Sequence, residues 1–285
     1  MKKILITGKN SYVGNSFKKW VEKHYEDECC IDLISLKDEQ WLESDFKNYD
    51  VILHVAGIAH TTAKKNMENT YYQINTDLAI KVAEKAKSEG VKQFIFMSSM
   101  IVFGDANTIN YITSETVPNP VGFYGNSKLK AEKNLSKMET DLFKVVIIRS
   151  PMIYGENSKG NFHLLSKLVG FIPLFPMHFN QRSMIHIDNL TEFIYLLIKN
   201  NNQGIFHPQN KEYISTYKMV KRIAYYKGKK LFGIPILSFF MKLLIKKSVI
   251  FNKVFGDFVY DKELSNYEEN YCVNNFEKSI ELTIK

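Results

Sequence analysis

Residues 6–14 read Ile6-Thr7-Gly8-Lys9-Asn10-Ser11-Tyr12-Val13-Gly14, joining a short apolar run, Lys3–Ile6, to a helical pattern over Gly14 to His24. A glycine at a strand end lets the chain turn tightly, and a final glycine lets helix and strand pack closely. The backbone N–H groups of the helix start then face a pyrophosphate. Ser11 stands where the middle glycine of the usual pattern would be, which makes the backbone's approach to a phosphate less close. Further along, Cys30–Leu33, Val51–Val55, Gln93–Met97 and Lys144–Ile148 are short, nearly continuous apolar runs, as strands buried on both faces should be. Helical patterns at Tyr72 to Lys87 and Lys128 to Lys137 lie between them, while Lys37 to Asp50 is too short for a full helix. Strand and helix alternating in this way predict an α/β protein with a doubly wound parallel sheet.

After Arg149 the alternation breaks down into loops and helices, with one strand-helix unit returning at Ser183 to Asn200. The expected organisation is a dinucleotide-binding domain of the Rossmann type over 1–150, with 183–207 returning to it. A smaller, mostly helical C-terminal substrate-binding lid is expected from 151–182 and 208–285.

Composition is that of a globular protein: 285 residues, 45% hydrophobic and 24% charged, with 14 glycines and 7 prolines, which excludes disordered, collagenous and low-complexity classes. The net charge of +8 is local. From Tyr213 to Gly256 there are ten basic residues and no acidic one, and the rest of the chain carries 28 basic against 30 acidic. No helix-turn-helix, RNA-binding or zinc-finger pattern accompanies the charge, so nucleic acid is not an expected partner. One reading of the segment is a solvated lid surface whose field draws in an anionic substrate. The other is peripheral contact with an acidic membrane, because Ile234 to Phe255 interleaves Phe, Leu and Ile with lysines as an interfacial helix does. Cys29, Cys30 and Cys272 form no zinc-ligand spacing, so no metal is expected and the thiols read as reduced, in a cytoplasmic protein. The apolar stretch before Gly8 is too short for a signal peptide, and the longest apolar run, Leu231 to Met241, falls short of a membrane span.

Tyr124-Gly125-Asn126-Ser127-Lys128 carries the second feature. With 16 tyrosines and 35 lysines, about two Tyr-x3-Lys pairs arise by chance, and five occur, at Tyr124, Tyr195, Tyr217, Tyr225 and Tyr226. Tyr124 alone follows a turn-rich loop (Pro118, Asn119, Pro120, Gly122) and opens a helix between the fourth and fifth strands. Lys128 then lies one turn on, on the same face, where its ammonium is expected to lower the tyrosine pKa and make it a usable acid or base. The fourth strand runs into Ser98-Ser99-Met100, at the carboxyl edge where the crevice of an open sheet lies. A serine there can hold a substrate oxygen; standing alone, Ser99 reads equally well as a turn cap.

Taken together, these motifs resemble the extended short-chain dehydrogenase/reductase family, and within it the NAD-dependent epimerase/dehydratases of nucleotide sugars. The resemblance rests on TGxxxxVG (Thr7 to Gly14), HVAG (His54 to Gly57), Asn75, SSxxVFG (Ser98 to Gly104), YGNSK (Tyr124 to Lys128), RSPMIYG (Arg149 to Gly155) and RSMIHIDNL (Arg182 to Leu190), in that order along the chain. It implies a catalytic set of Ser99, Tyr124 and Lys128. For the cofactor it implies Gly8, Asn10, Ser11, Tyr12, Val13, Gly14, Ser35, Lys37, Val55, Ala56, Gly57, Asn75, Ser98, Pro151 and Ile153, beside Tyr124 and Lys128. For the substrate it implies Ser99, Met100, Asn161 and Arg182, with Arg182 on the diphosphate. His54, His163 and His186 read as structural, and a homodimer is usual in such enzymes.

Dehydratases of the resembled family carry an Asp-Glu pair where this chain has Met100 and Ile101, which argues against dehydration. A 4-ketoreductase and a 4-epimerase share the remaining machinery. The discriminator is the second strand, Ile31 to Lys37. If it ends near Asp32, a carboxylate meets the ribose hydroxyls and NAD is favoured; if it ends at Ser35, Lys37 meets a 2′-phosphate. The short crossover through Trp41 to Tyr49, with KGNF (Lys159 to Phe162) and NQRS (Asn180 to Ser183), resembles capsule-type 4-ketoreductases and favours the second alignment. The expectation is NAD(P)-dependent reduction, with NADPH preferred over NADH, of a UDP-4-keto-6-deoxy-hexosamine for surface polysaccharide. The alternatives are a UDP-glucose or UDP-N-acetylglucosamine 4-epimerase with bound NAD and, more remotely, a non-catalytic dinucleotide-binding protein.

Overall fold

The computed structural model describes residues 1–59, 67–158 and 161–284. Its first half runs β1 (Lys2–Thr7), α1 (Tyr12–His24), β2 (Cys29–Ile34), β3 (Val51–His54), α2 (Glu68–Tyr72), α3 (Leu78–Ser88), β4 (Gln93–Ser99), β5 (Tyr111–Ile112), α4 (Gly122–Ser136) and β6 (Lys144–Ser150). Then come β7 (Met152–Tyr154), α5 (Asn161–Leu168), β8 (Leu174–Pro176), β9 (Met184–His186), α6 (Ile187–Lys199) and β10 (Gly204–Phe206). The chain closes with α7 (Thr216–Tyr226), β11 (Phe232–Ile234), α8 (Pro235–Lys247), α9 (Val249–Phe255), β12 (Val259–Tyr260) and α10 (Phe276–Ile284).

Six strands form one parallel sheet in the order β10-β6-β4-β3-β1-β2. The chain moves from β1 outward to β2, then returns to the other side of β1 as β3, so the strand order reverses between β1 and β3. Ligands bind at such a reversal, beyond the carboxyl ends of the strands. Side chains alternate between two cores. Ile4, Ile6, Val51, Leu53, Ile95 and Val146 pack on the α1/α6 side, and Leu5, Ile52, Phe94, Phe96, Val145 and Ile147 on the side of α3 and α4. Each such residue contributes about 1.5–3 kcal/mol by leaving water. Truncating Phe94, fully buried, to alanine would cost about 3–5 kcal/mol.

Three of the connections differ from a plain strand-helix alternation. Between β2 and β3 the chain makes only a 3-10 turn at Glu39–Glu43, capped by Asp38, as the short crossover foretold. Between α2 and α3 the helix widens into a π turn at Gln73–Asp77, a distortion frequent at functional sites. β9 pairs with β7 outside the main sheet, and the chain rejoins that sheet through β10 after α6 has packed on α1. A third apolar cluster, built around Tyr154, Phe175, Tyr217, Val220 and Ile223, binds together the segments that follow β6.

The stretch from Ile234 to Phe255 is not one interfacial helix. Ser248 breaks it, capping α9 through its hydroxyl, and α9 packs back on α8. Among the described residues no helix is long and apolar enough to cross a membrane.

Candidate active site

The turn after β1 has the shape a dinucleotide needs. Gly8 takes φ +109°, a conformation that L side chains rarely adopt, and a Cβ on it would lie 3.1 Å from the Ala56 nitrogen. A Cβ on Gly14 would lie 2.8 Å from Ile6 Cγ2 and 3.2 Å from Val55 Cγ2, so α1 can rest on β1 and β3 only with glycine there. Ser11, in place of the middle glycine, points its hydroxyl into the helix start and accepts from Gly14 N at 2.8 Å. The first-turn amides of Tyr12 and Val13 precede the intrahelical ladder and so have no partner within the helix. Asn10 is exposed beside them. These residues fit a bound pyrophosphate. Tyr12 could offer such a ligand only its main chain: its ring crosses to Gly155, and its buried hydroxyl has no hydrogen-bond partner among the described residues. Burial, with the Asp188 and Glu156 carboxylates, holds that phenol protonated.

β2 ends at Ile34, whose carbonyl accepts from Gly8 N and Lys9 N. Asp32 therefore lies inside the strand, opposite Leu5, and its carboxylate accepts from Tyr49 Oη at 2.9 Å. Ser35 and Lys37 follow the strand end, with the exposed Lys37 donating its amide to Ser35 Oγ at 3.3 Å.

At the other side of the crevice, α4 and the end of β4 are joined by three successive links. Met97 O accepts from Lys128 Nζ at 2.8 Å, the Ser98 hydroxyl donates to Glu132, and Ser99 hydrogen-bonds Tyr124. The three partners on α4 are spaced four residues apart and so lie on one helix face. Ser99 also caps the 3-10 turn Met100–Phe103, so its turn-capping role and its bond to Tyr124 coexist.

This arrangement alters four sequence expectations. Ser98, expected at the cofactor, turns its hydroxyl inward to Glu132. Met100, expected at the substrate, is rotated by the 3-10 turn into a buried cluster with Phe103, Ile112 and Tyr260. Asn75 spends its whole amide internally: its Oδ1 accepts from Ile58 N, and its Nδ2 donates to Ile58 O and Ser127 Oγ. It thus ties the loop after β3 to α4. The Tyr124 pKa is raised rather than lowered, chiefly by burial and only partly offset by Ser99, because the Lys128 ammonium is directed at Met97 O and over the Phe96 ring, 4.5 Å from its centroid.

Lys128 itself is pushed down to about 8 by burial, against which Glu132 acts. A Cβ on Gly57 would stand 3.3 Å from Lys128 Nζ and 2.9 Å from Asn75 Oδ1, so the missing side chain at Gly57 lets the loop after β3 approach Lys128 closely. Pro151 is buried just after β6, and Ile153 is half-buried in β7 beside it.

Arg182 is half-buried in the lid; its Nη1 donates to Gly256 O at 3.2 Å, and its guanidinium lies 5.9 Å from the Phe258 centroid. Burial lowers its pKa to about 10, where it stays charged near neutrality. Asn161 heads α5, and its side chain lies outside the described residues, as do Lys159 and Gly160 of the KGNF stretch. His54 is fully buried, 2.8 Å from Thr7 Oγ1, and held neutral by burial and by Lys128 at a pKa of about 3. His186 caps α6 and is also neutral, at about 4, while His163 is exposed.

Sequence reasoning missed the ion pair behind the site. Arg149 Nη2 donates to Glu132 Oε2 at 2.8 Å and Arg149 Nε to the same oxygen at 3.2 Å, both side chains being buried. Tyr260 Oη donates to Arg149 O at 2.8 Å, which ties the pair to the C-terminal segment. The available signal was Glu132 four residues beyond Lys128, on the face already assigned to the site.

A doubly wound parallel sheet with a glycine turn at its reversal point, and a Ser-Tyr-Lys set at the end of its fourth strand, defines an extended short-chain dehydrogenase/reductase. Residues 1–231 match the RmlD substrate binding domain family, and the chain belongs to it. The UDP-glucose 4-epimerase of Vibrio cholerae is 32% identical over 279 residues, covering 90% of this chain and 83% of that protein. Among solved structures, the UDP-glucuronic acid 4-epimerase from Bacillus cereus in complex with NAD superposes with a TM-score of 0.74 at 15% identity, covering 99% of this chain and 97% of that one. The dTDP-4-dehydrorhamnose reductase from Bacillus anthracis in complex with NADP gives 0.66 at 22% identity over 82% of this chain and 84% of that one.

Proposed function

We propose that this protein is a cytoplasmic NAD(P)-dependent enzyme that acts at C4 of a UDP-hexose or UDP-hexosamine. Its favoured reaction is reduction of a UDP-4-keto-6-deoxy-hexosamine for surface polysaccharide. The observation that carries this reading is Tyr124, bonded to Ser99 and kept protonated by burial, with Lys128 behind it at Gly57. A neutral phenol is the form needed to protonate a carbonyl oxygen as it becomes an alcohol. A bound nicotinamide dinucleotide would supply the hydride.

In this mechanism the Gly8–Gly14 turn would hold the pyrophosphate, Val55 to Gly57 would border the adenosine half, and Pro151 and Ile153 would border the nicotinamide. Ser99 orients the substrate oxygen and Tyr124 gives it a proton, while Lys128, its ammonium held by Met97 O, lines the Gly57 side of the site. Arg182 meets the diphosphate with a planar, permanently charged group. The absence of a carboxylate at the end of β2, with Lys37 just beyond, supports NADPH over NADH.

The second reading is a 4-epimerase with tightly held NAD, favoured by the likeness to the Vibrio cholerae protein. The same residues serve it, with Tyr124 first taking and then returning the O4 proton. A paired incubation separates the two. A UDP-4-keto-6-deoxy sugar is supplied with NADPH or NADH, and UDP-glucose or UDP-N-acetylglucosamine is supplied without added cofactor. Stoichiometric consumption of reduced cofactor identifies the reductase, and interconversion of the hexoses with none consumed identifies the epimerase.

A further inference from the structure

The C-terminal half of the chain presents an apolar tip built from two segments that carry no carboxylate. No acidic residue occurs between Glu156 and Asp188 or between Glu212 and Asp257, and these two segments meet where β8 pairs with β11. Leu174 is the register partner of Phe232, so the two side chains leave the same face of that small sheet. They are 52% and 59% exposed. Phe171, three residues ahead of β8, is 85% exposed, and Ile236, in the first turn of α8 directly after β11, is 70% exposed. Lys229 and Lys230, just before β11, are exposed, as are Lys167 and Lys227 on the adjoining ends of α5 and α7. Lys227 Nζ donates to Ser166 O at 2.6 Å, which holds those ends together.

From this arrangement we infer that the tip is a peripheral docking surface for an anionic lipid bilayer. Water solvates the ammonium groups but not the four apolar side chains. A nucleic-acid backbone would match the lysines but offers nothing to the aliphatic tip. An anionic bilayer interface takes both, with acyl chains receiving Phe171, Leu174, Phe232 and Ile236 and headgroups meeting the lysines. The surface differs from the single helix suggested by the sequence: it is a sheet edge and a helix start brought together by the fold. Binding there requires no catalysis, so its test is independent of the C4 reaction.

The test is sedimentation of the full-length protein with vesicles of phosphatidylcholine alone or mixed with phosphatidylglycerol, at low and physiological salt. Binding to the anionic vesicles that weakens with salt is expected, at about fivefold per lysine contributed. Phe232→Ser with Ile236→Ser, and separately Lys229→Glu with Lys230→Glu, should each lower the partition coefficient at least about tenfold while circular dichroism stays unchanged. All four positions are exposed, so the fold is not at risk. No binding to anionic vesicles at low salt overturns the inference, as does binding that neither pair of substitutions weakens. A concentration-dependent dimer that Phe232→Ser with Ile236→Ser dissolves would assign the tip to a second copy of the chain instead.

Discussion

Lys128 and Glu132 stand one turn apart on α4 and hold adjacent residues of β4, the ammonium on Met97 O at 2.8 Å and the carboxylate on the Ser98 hydroxyl. Glu132 also neutralises the buried Arg149 guanidinium, so a single carboxylate serves Lys128, the strand end and the core behind them. Removing its charge should be felt in all three. Glu132→Gln leaves Arg149 buried without a counter-charge, for which about 3–5 kcal/mol of destabilisation is expected in denaturant titration. It also removes what raises Lys128, so the alkaline limb of the activity profile should move to lower pH. An unchanged midpoint and an unchanged limb would detach Glu132 from the site.

Lys128 also leaves a signature in stability. Its amine is near 8 in the folded chain against an ordinary 10.5, so between those values the unfolded chain binds more protons and this group's contribution to stability rises with pH. Below about 8 the cost of the buried charge is fully present. Lys128→Met should therefore gain stability relative to the wild type near neutrality, and lose that advantage above pH 10.5. Chemical denaturation at the two extremes checks the sign, and a difference independent of pH would contradict it.

Gly14→Ala places a methyl 2.8 Å from Ile6 Cγ2 and Ser11 Oγ, forcing α1 away from β1. A loss of about 1–3 kcal/mol is expected. Weaker dinucleotide binding in a fluorescence titration should accompany it, because the first-turn amides shift with the helix. Wild-type affinity in a folded variant would count against the pyrophosphate site.

Cofactor choice turns on the residues after β2. Lys37→Glu should raise the KM for NADPH over that for NADH by roughly tenfold or more, the worth of a charge-assisted bond of about 1.5–3 kcal/mol. Asp32→Asn should leave both unchanged, since Asp32 lies inside the strand and accepts from Tyr49. The reverse pattern would return the ribose contact to Asp32 and favour NAD.

Arg182→Ala should raise the KM for the nucleotide sugar with less effect on kcat, as loss of a binding charge does. An unchanged KM in initial-rate measurements would remove Arg182 from the diphosphate.

Five strands of the sheet, β1, β2, β3, β4 and β6, were legible as short, nearly continuous apolar runs, and the glycine turn because Gly8 and Gly14 sit at a strand end and a helix start; β10, three residues long with Ile205 45% exposed, carries no such run. Tyr124 stood out from four chance pairs only by its place between two such strands. The rest depended on contacts between distant residues. Glu132 and Arg149 are polar and 17 residues apart, and nothing local marks them as a buried pair. Met100 turns inward because Ser99 starts a 3-10 turn that no periodicity announces. Asn75 takes its role from a π turn, and the position of the Lys128 ammonium from a main-chain carbonyl that any residue at Met97 would supply. The apolar tip was hidden because Leu174 and Phe232 are neighbours only through the pairing of two three-residue strands.

The proposed reaction is hydride transfer at C4 with Tyr124 as the proton donor. The most direct measurement follows deuterium from reduced nicotinamide cofactor labelled at its transferable position into a UDP-4-keto-6-deoxy sugar, comparing wild type with Tyr124→Phe. Deuterium is expected at C4 of the sugar from the wild type, with a rate lower by about 10²–10⁴-fold from a variant that still binds the dinucleotide. Deuterium at another carbon, or undiminished transfer by Tyr124→Phe, would contradict it.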